Sequence, residues 1–220
     1  MMRALSVAIV EAEADARVRV IVLGAAGKLF CAGHDLGELR STNDPHVHQA
    51  LFEECSALMM AIGACRAPVI ARVQGAAVAA GCQLVASCDL AFAAETARFA
   101  VSGINLGLFC STPGVALSRA IGRKAATELL LTGKFIDAGE AAALGLINHA
   151  VPAADLDKTV DETAAVIAAK ATDAMALGKA AFGRQTDVPL AEAYAIAAQA
   201  MVENLGFESA RAGIDGFLRR

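Results

Sequence analysis

The chain has 220 residues, of which 56% are hydrophobic and 19% charged, and its formal net charge is −4. This composition supports one large domain with a sizeable core, and it excludes global disorder and a nucleic-acid-binding surface. The longest stretch of small and apolar residues, 75–94, is interrupted by Gln83 and Asp89 and is too short to cross a bilayer, so we expect no membrane partner. Six cysteines without CxxC spacing are typical of reduced thiols, which predicts a cytoplasmic protein.

The first third of the chain predicts a helix, a strand and a second helix. Apolar residues at helical spacing begin at Leu5, and the β-branched run 19–23 is typical of a buried strand that ends at Gly24. A loop over 24–35 follows. Asp44 and Pro45 then mark the N-cap and first position of a helix that runs to about Ala64.

Further strands alternate with helices in the middle of the chain. The runs 68–73 and 90–93 predict strands, with a turn over 75–81 and a helix over 79–87 between them. This alternation favours parallel pairing, because crossover connections join parallel strands. Beyond residue 110 the pattern is largely helical, with a capping box at Asp137 and Glu140 and one last strand over 147–151. We therefore predict an α/β fold, with a core over 1–151 and a helical region over 152–220.

Two glycine-bearing turns are the strongest functional signal. The segments 31–36 and 79–83 each follow a predicted parallel strand, and Ala80 lies where a turn gives way to a helix. Its amide is an unpaired donor of the first helical turn, and the small residues around it let a ligand approach the backbone. Two such donors converging on one carbonyl oxygen would form an oxyanion hole.

The amino-acid sequence of these turns resembles the motifs of a known family. Residues 30–36 (FCAGHDL) resemble the F-x-A-G-x-D-[LI] signature of the crotonase (enoyl-CoA hydratase/isomerase) superfamily, and residues 69–89 resemble its second signature. The resemblance runs from about Ala4 to Arg220. It implies a spiral of ββα turns, a C-terminal helical region that mediates trimer formation, and binding of acyl-CoA thioesters with no separate cofactor and no metal. Pairing of trimers into hexamers stays open.

The same resemblance assigns the site residues. The thioester oxygen would lie between the backbone amides of His34 and Ala80, with Gln83 orienting water or substrate. The substrate or CoA would also contact a wider set of positions: Ala32, Gly33, Asp35, Leu36, Gly81, Leu108, Met201 and Arg220.

Two departures from the family pattern bear on the reaction. The hydratases of the family carry glutamates at the positions that correspond here to Gln83 and Gly103. Hydration needs one group to activate water and another to protonate carbon, and such positioned groups contribute roughly 10²–10⁴-fold. Because neither a glutamine amide nor a glycine takes up a proton at neutral pH, standard hydration is not expected.

The start of the chain also departs from the pattern. Family members carry a β-hairpin before the segment that matches 4–6, and we expect a mis-set or shortened start at Met1. A mitochondrial location would require a transit segment upstream of this start.

Other candidate groups are assigned to structural roles. Cys110 and Ser111 have no evident base beside them, which predicts a pocket wall rather than a nucleophile. His46 and His48 do not share a helix face, so they are interpreted as surface residues and not as metal ligands. The His34 ring is interpreted as a loop side chain near the CoA, although a Gly-His-Asp at this turn also occurs in family decarboxylases.

Three functions stay open on these residues. The first is a crotonase-type lyase or isomerase of acyl-CoA (fatty acid) metabolism whose reaction is not standard hydration. The second is a non-catalytic acyl-CoA-binding protein. The third is a malonyl-type acyl-CoA decarboxylase, because loss of CO₂ needs only stabilisation of the enolate that is left behind.

Overall fold

Two four-stranded sheets, whose strands alternate along the chain, form the centre of the fold. The computed structural model describes residues 1–219. The first sheet is parallel throughout, in the order β1 (Ile21–Gly24), β3 (Val69–Val73), β5 (Leu90–Ala94) and β8 (His149–Val151). The second sheet has the order β2 (Leu29–Cys31), β4 (Ala76–Val78), β6 (Arg98–Ala100) and β7 (Ile136–Asp137), and only its last pair is antiparallel.

Helices connect and flank these strands. The first part of the chain contains α1 (Met2–Ala14), α2 (Leu36–Arg40), α3 (Pro45–Ala64) and α4 (Ala80–Ser87). The second part contains α5 (Ser111–Ala120), α6 (Arg123–Thr132), α7 (Ala138–Leu144), α8 (Leu156–Ala168), α9 (Thr172–Gln185), α10 (Leu190–Leu205) and α11 (Glu208–Leu218), with 3₁₀ turns at Ser102–Leu106 and Ala153–Asp155.

The chain visits the two sheets in turn, which gives a spiral. Successive strand pairs β1–β2, β3–β4 and β5–β6 each place one strand in the first sheet and one in the second. Two helices follow the first pair and one helix follows the second pair before the chain returns to the first sheet. The predicted α/β class with parallel pairing and C-terminal helices is confirmed.

Buried β-branched and small residues explain why the first sheet lies at the centre. Val69, Ile70, Ala71 and Val73 of β3 are each at most 1% exposed. Ile70 and Phe92 face a separate apolar cluster closed by Leu156 and Val160 of α8. A near-continuous apolar run of this kind is expected of a parallel strand that is covered on both faces.

The predicted helix boundaries follow their capping residues. Asp44 accepts a hydrogen bond from the His46 amide at 2.9 Å, and α3 ends at Ala64 as predicted. Asp137 accepts from the Glu140 amide at 2.8 Å, which confirms the N-cap of α7. The reciprocal half of the capping box is wrong, because the Glu140 carboxylate pairs with Lys134 Nζ at 3.1 Å instead.

Most of the second sheet lies where the sequence predicted loops and turns. β2 falls within the predicted loop 24–35, β4 within the predicted turn 75–81, and β7 within the stretch predicted as helical. These strands have only two or three residues, too few for an alternating pattern to appear. Their pairing with distant strands, and not their own composition, fixes them as strands.

Candidate active site

The two glycine-bearing turns lie at one end of the second sheet. β2 leads into the first turn and β4 leads into the second, and the two strands pair in parallel with Cys31 opposite Ala77. Parallel neighbours end at the same edge of a sheet, so both turns leave that edge together. The structure thus brings together the two segments that the sequence singled out.

Gly33 is the point at which the first turn meets the second. Its φ is +93°, a conformation that side-chain-bearing residues rarely adopt. A Cβ atom built on Gly33 would lie 3.3 Å from the Ala80 nitrogen and 3.1 Å from Ala79 Cβ. The lack of a side chain at Gly33 therefore leaves open the space in front of the Ala80 amide.

The second turn is held by a strained alanine. Ala79 has φ +50° and ψ −115°, and it is the only residue other than glycine within 1–219 with a positive φ. Its amide donates to the Ala100 carbonyl of β6 at 2.8 Å. Two residues on, a Cβ atom at Gly81 would overlap the Cys31 carbonyl, so only glycine fits there. These contacts hold the start of α4 against β2 and β6.

The Ala80 amide is left without an acceptor in its own helix. The first hydrogen bond of α4 runs from the Gln83 amide to the Ala79 carbonyl at 3.0 Å. Ala80 is the first helical residue, and amides of the first turn have no intrahelical acceptor. The aligned peptide dipoles of α4 also favour negative charge at this end.

Two cavities open on these turns, and both are lined by His34 and Ala80. One, of about 540 Å³, lies against α1 and α3; we call it the α1 cavity. The other, of about 510 Å³, is bounded by residues 102–113; we call it the loop cavity. His34 and Ala80 therefore lie where the two cavities meet.

The other predicted site residues near the turns lie in the walls of two different cavities. Ala32, Leu36, Gly103 and Leu108 line the loop cavity, whereas Gly33 and Asp35 line the α1 cavity. The Asp35 carboxylate caps α2, since it accepts from the amides of Gly37 and Glu38 at 2.7 and 3.1 Å.

Two of the predicted CoA contacts lie elsewhere. Met201 lies on α10 and lines a groove between α9 and α10, away from both cavities. Within a single copy of the chain it is therefore not part of this site. Arg220 lies outside the described residues.

Gln83 lies beneath the site rather than in its wall. It is 3% exposed and is not among the residues that line either cavity. Its Oε1 atom lies 4.0 Å from Cys55 Sγ of α3. The side chain predicted to orient water is thus enclosed between α4 and α3 in this structure.

Gly103 has no side chain, and neighbouring atoms fill the space that a side chain there would need. A Cβ atom on Gly103 would overlap the Leu108 carbonyl oxygen and lie 2.8 Å from Cys110 Sγ. The surrounding turn is fixed by the Leu108 amide, which donates to the Gly103 carbonyl at 3.0 Å. This segment has no room for a carboxylate side chain at residue 103.

His34 lines both cavities. Its ring meets Phe52 edge-on, with ring centroids 5.4 Å apart. Burial lowers the pKa of His34, and the nearby Glu38 carboxylate opposes this shift. The Nε2 atom is buried and has no hydrogen-bond partner within residues 1–219.

Two buried cysteines, Cys82 of α4 and Cys55 of α3, lie close to the site. Burial raises the pKa of Cys82 to about 12, and it also raises the pKa of Cys55. A thiol in such surroundings is inert as a nucleophile. Cys110 and Ser111 lie in the wall of the loop cavity. In the described part of the chain, no cluster of His, Cys, Asp or Glu could hold a metal ion.

Sequence reasoning missed the aromatic wall of the loop cavity. Phe52 of α3 and Phe109 of the 102–113 segment both line it. Phe52 comes from a helix far away in the sequence, and nothing in its local pattern distinguishes it from a residue packed in the core.

Comparison with known proteins identifies the family. A sequence model of the enoyl-CoA hydratase/isomerase family matches residues 1–220. The chain belongs to the enoyl-CoA hydratase/isomerase family. This family acts on acyl-CoA thioesters, and its members are often oligomeric.

Curated family members and solved structures agree on this assignment. Mitochondrial enoyl-CoA hydratase domain-containing protein 3 of Rattus norvegicus is 45% identical over 210 residues, which cover 96% of this chain and 70% of that protein. The Homo sapiens protein of the same name is 46% identical over 203 residues, covering 92% and 67%. These names carry the word mitochondrial, whereas the cysteine usage predicts a cytoplasmic protein.

The fold of this family member is that of crotonase-type structures. A crystal structure of an enoyl-CoA hydratase from Mycobacterium smegmatis superposes with a TM-score of 0.98 at 51% identity, covering 100% of this chain and 85% of that one. The structure of the human domain-containing protein 3 superposes with a TM-score of 0.96 at 44% identity, covering 99% and 86%. None of the helices within residues 1–219 is long and apolar enough to span a membrane.

Proposed function

We propose that this chain binds acyl-CoA thioesters and holds the thioester oxygen between the backbone amides of His34 and Ala80. The observation that carries the proposal is the meeting of the two turns at one edge of the second sheet, with Gly33 against the Ala80 amide. Fixed amides in a cleft that excludes water stabilise the negative charge of an enolate.

The acyl chain is assigned to the loop cavity. Leu36, Leu106, Phe109 and Phe52 contribute its apolar wall. The rest of the thioester then leaves toward the α1 cavity, because the two cavities meet at the proposed amides.

The reaction is not proposed to be standard hydration. Among residues 1–219, those that line the loop cavity include no aspartate or glutamate. Gln83 is enclosed behind the wall, and position 103 is closed by Leu108 and Cys110. Within residues 1–219, no carboxylate that could activate water therefore lies beside the acyl chain.

The second candidate is a non-catalytic acyl-CoA-binding protein. A cavity wall whose described residues include no carboxylate favours it, since hydration needs positioned acid and base groups. Decarboxylation of a malonyl-type thioester also needs no base. Tyr194, the sole tyrosine, is 70% exposed on α10 and supplies no donor to this cavity.

Binding and exchange measurements test the proposal. We expect calorimetry to show that butyryl-CoA binds more tightly than CoA alone. Ala80→Leu places bulk where both cavities meet and should weaken butyryl-CoA binding by at least about tenfold. Ala165→Leu makes the same change at an exposed site on α8 and should leave binding unchanged.

Product analysis then separates the candidates. Incubation with crotonyl-CoA, methylmalonyl-CoA and butyryl-CoA in D₂O reports hydration, CO₂ release and exchange of the α-proton. Exchange or CO₂ release that is lost in Ala80→Leu supports an enzyme, and tight binding with none of these supports the binding protein. Equal binding of butyryl-CoA by wild type and Ala80→Leu would contradict the proposed site.

A further inference from the structure

Large apolar side chains that line the loop cavity stay exposed to solvent in the single chain. Five of them form what we call the apolar rim: Leu36, Phe52, Leu106, Leu108 and Phe109. These residues are between 37% and 64% exposed, and they come from three separate parts of the chain, α2, α3 and the 102–113 segment. An exposed apolar cluster of this kind marks a surface that a ligand or a partner covers.

The part of the loop cavity nearest the proposed amides is lined by small residues. Ala32 follows β2, whereas Val78, Ala79 and Ala80 end β4 and begin α4. The rim residues come instead from the helices and the 102–113 segment around this sheet edge. A chain that is bound at the amides would therefore pass small residues first and reach the large apolar ones further on.

The lining of the loop cavity favours an uncharged hydrocarbon chain. Lysine, arginine, aspartate and glutamate are all absent from the residues within 1–219 that line it. A charged group on the chain would lose its hydration there without an ionic partner. Burial favours the neutral form of His34, and the other polar side chains of the lining are uncharged at neutral pH: Ser102, Cys110, Ser111 and Thr112.

The volume of the loop cavity exceeds what a short acyl chain fills. A methylene group is about the size of a water molecule, roughly 30 Å³, so a four-carbon chain fills about a quarter of the 510 Å³ and an eight-carbon chain about half. A longer chain therefore covers rim surface that a butyryl chain leaves in water. Each methylene that becomes fully buried raises the affinity about fourfold.

We propose that this site selects acyl-CoA thioesters whose uncharged chains have about eight carbons or more, and that Leu106 and Phe109 of the apolar rim determine this selectivity. The inference rests on the proposed acyl-CoA function and extends it from the thioester group to the far part of the chain. We assign the rim to the acyl chain, and not to another copy of the protein, because the rim lines the same cavity as His34 and Ala80.

Thioesters that differ in chain length test the inference by calorimetry. For the wild type we expect octanoyl-CoA to bind at least about tenfold more tightly than butyryl-CoA, since full burial of four methylenes would give roughly 200-fold. Suberyl-CoA, which has eight carbons and a terminal carboxylate, should bind less tightly than octanoyl-CoA.

A double variant locates the selectivity on the rim. In Leu106→Ser/Phe109→Ser, the preference for octanoyl-CoA over butyryl-CoA should fall at least about fivefold, because the far methylenes lose their apolar contacts. Val166→Ser is the control: Val166 is 60% exposed on α8 and lines neither cavity, so this variant should keep the wild-type ratio.

A spectroscopic measurement on the wild type makes the test independent of variant folding. Nuclear Overhauser effects should join the terminal methyl group of bound octanoyl-CoA to the ring protons of Phe109. Their absence, equal affinities for octanoyl-CoA and butyryl-CoA, or an unchanged preference in the double variant would each overturn the inference while leaving acyl-CoA binding intact. A double variant with a smaller assembly mass and an unchanged preference would overturn it in favour of contacts between copies. Failure to bind any acyl-CoA would instead contradict the proposed function.

Discussion

Ala79 carries backbone strain at the point where the site needs a sharp turn. Its φ of +50° and ψ of −115° belong to a region that is favourable only for glycine. Such a conformation costs about 1–3 kcal/mol and persists only where neighbouring contacts impose it. Here the contacts are the bond from its amide to Ala100 and the close approach of Gly81 to Cys31.

Replacing this alanine with glycine should stabilise the protein. Ala79→Gly removes the strain but increases the freedom of the unfolded chain by about 0.5–1 kcal/mol, so we expect a net gain of about 1 kcal/mol in the free energy of unfolding. Urea unfolding monitored by circular dichroism measures it. Ala169→Gly is the matched control, because Ala169 is exposed with φ −78° and should only lose stability. Equal losses in both variants would show that Ala79 is not strained.

Restoring one carboxylate should not create a hydratase. Gln83→Glu places an acid behind the cavity wall beside Cys55, while position 103 has no side chain and no room for one. We expect no hydration of crotonyl-CoA above the wild-type level, as measured by loss of the enoyl absorbance. Retained binding of butyryl-CoA provides the folding control. Robust hydration by this single variant would show that a second acid exists elsewhere in the site.

At the level of single residues, the sequence predicted the turns better than their surroundings. Gly33 and Ala80 could be singled out because each follows a strand within a short run of small residues. The closure of position 103 depends on Leu108 and Cys110 folding back onto it, and the enclosure of Gln83 depends on Cys55 from another helix. Contacts of that kind leave no periodic pattern in the sequence.

Among the helices, α9 contacts the α/β core through a lysine with three hydrogen bonds. Lys179 Nζ donates to the Asp89 carboxylate at 2.6 Å and to the carbonyls of Ile62 and Ala67 at 3.2 and 3.3 Å. Its side chain is only 12% exposed. The Asp89 carboxylate also accepts from the Val69 amide at 2.7 Å, so this cluster joins α9, the end of α3 and the start of β3.

Removing the lysine charge should weaken that junction. Lys179→Met leaves Asp89 and two carbonyls without their shared donor, and we expect a loss of about 2 kcal/mol in the free energy of unfolding. Lys158→Met is the control, because its pair with Glu162 spans 3.9 Å and is largely exposed; it should change stability by less than about 0.5 kcal/mol. Thermal and urea unfolding compare the two variants. Similar effects at both positions would mean that the buried cluster adds nothing to the attachment of α9.

Elements were predictable where length and capping defined them. The strands β1 and β3 of the first sheet lie within β-branched runs, and Asp44 and Pro45 mark the start of α3. Strands β2, β4 and β7 of the second sheet were not predicted, because β2 and β4 have three residues each and β7 has two. A strand that short is determined by the neighbour with which it pairs, and that neighbour lies tens of residues away in the sequence.

On the scale of the whole molecule, the C-terminal helices leave a large apolar surface uncovered. Exposed apolar side chains recur on α9, α10 and α11: Phe182, Leu190, Met201, Val202, Leu205, Phe217 and Leu218. Monomeric proteins rarely expose so many large apolar residues in one region, and such surfaces commonly mark interfaces. Because family members are often oligomeric, we expect this surface to contact other copies of the chain.

The resemblance to the crotonase superfamily implies a trimer, and we expect α9–α11 to form its contacts. Sedimentation equilibrium should give about three times the chain mass of 22.5 kDa. Val202→Glu places a charge on a residue that is 72% exposed in the single chain and should shift the protein toward monomer, because a buried unpaired carboxylate is costly. Val166→Glu makes the same change at a 60% exposed position on α8, outside the assigned surface, and should leave the trimer intact. A monomeric wild type would contradict the expected trimer. Dissociation by the α8 variant alone would place the contacts between copies on a different face. In either case, the position of Met201 away from the site of a single chain would need another explanation.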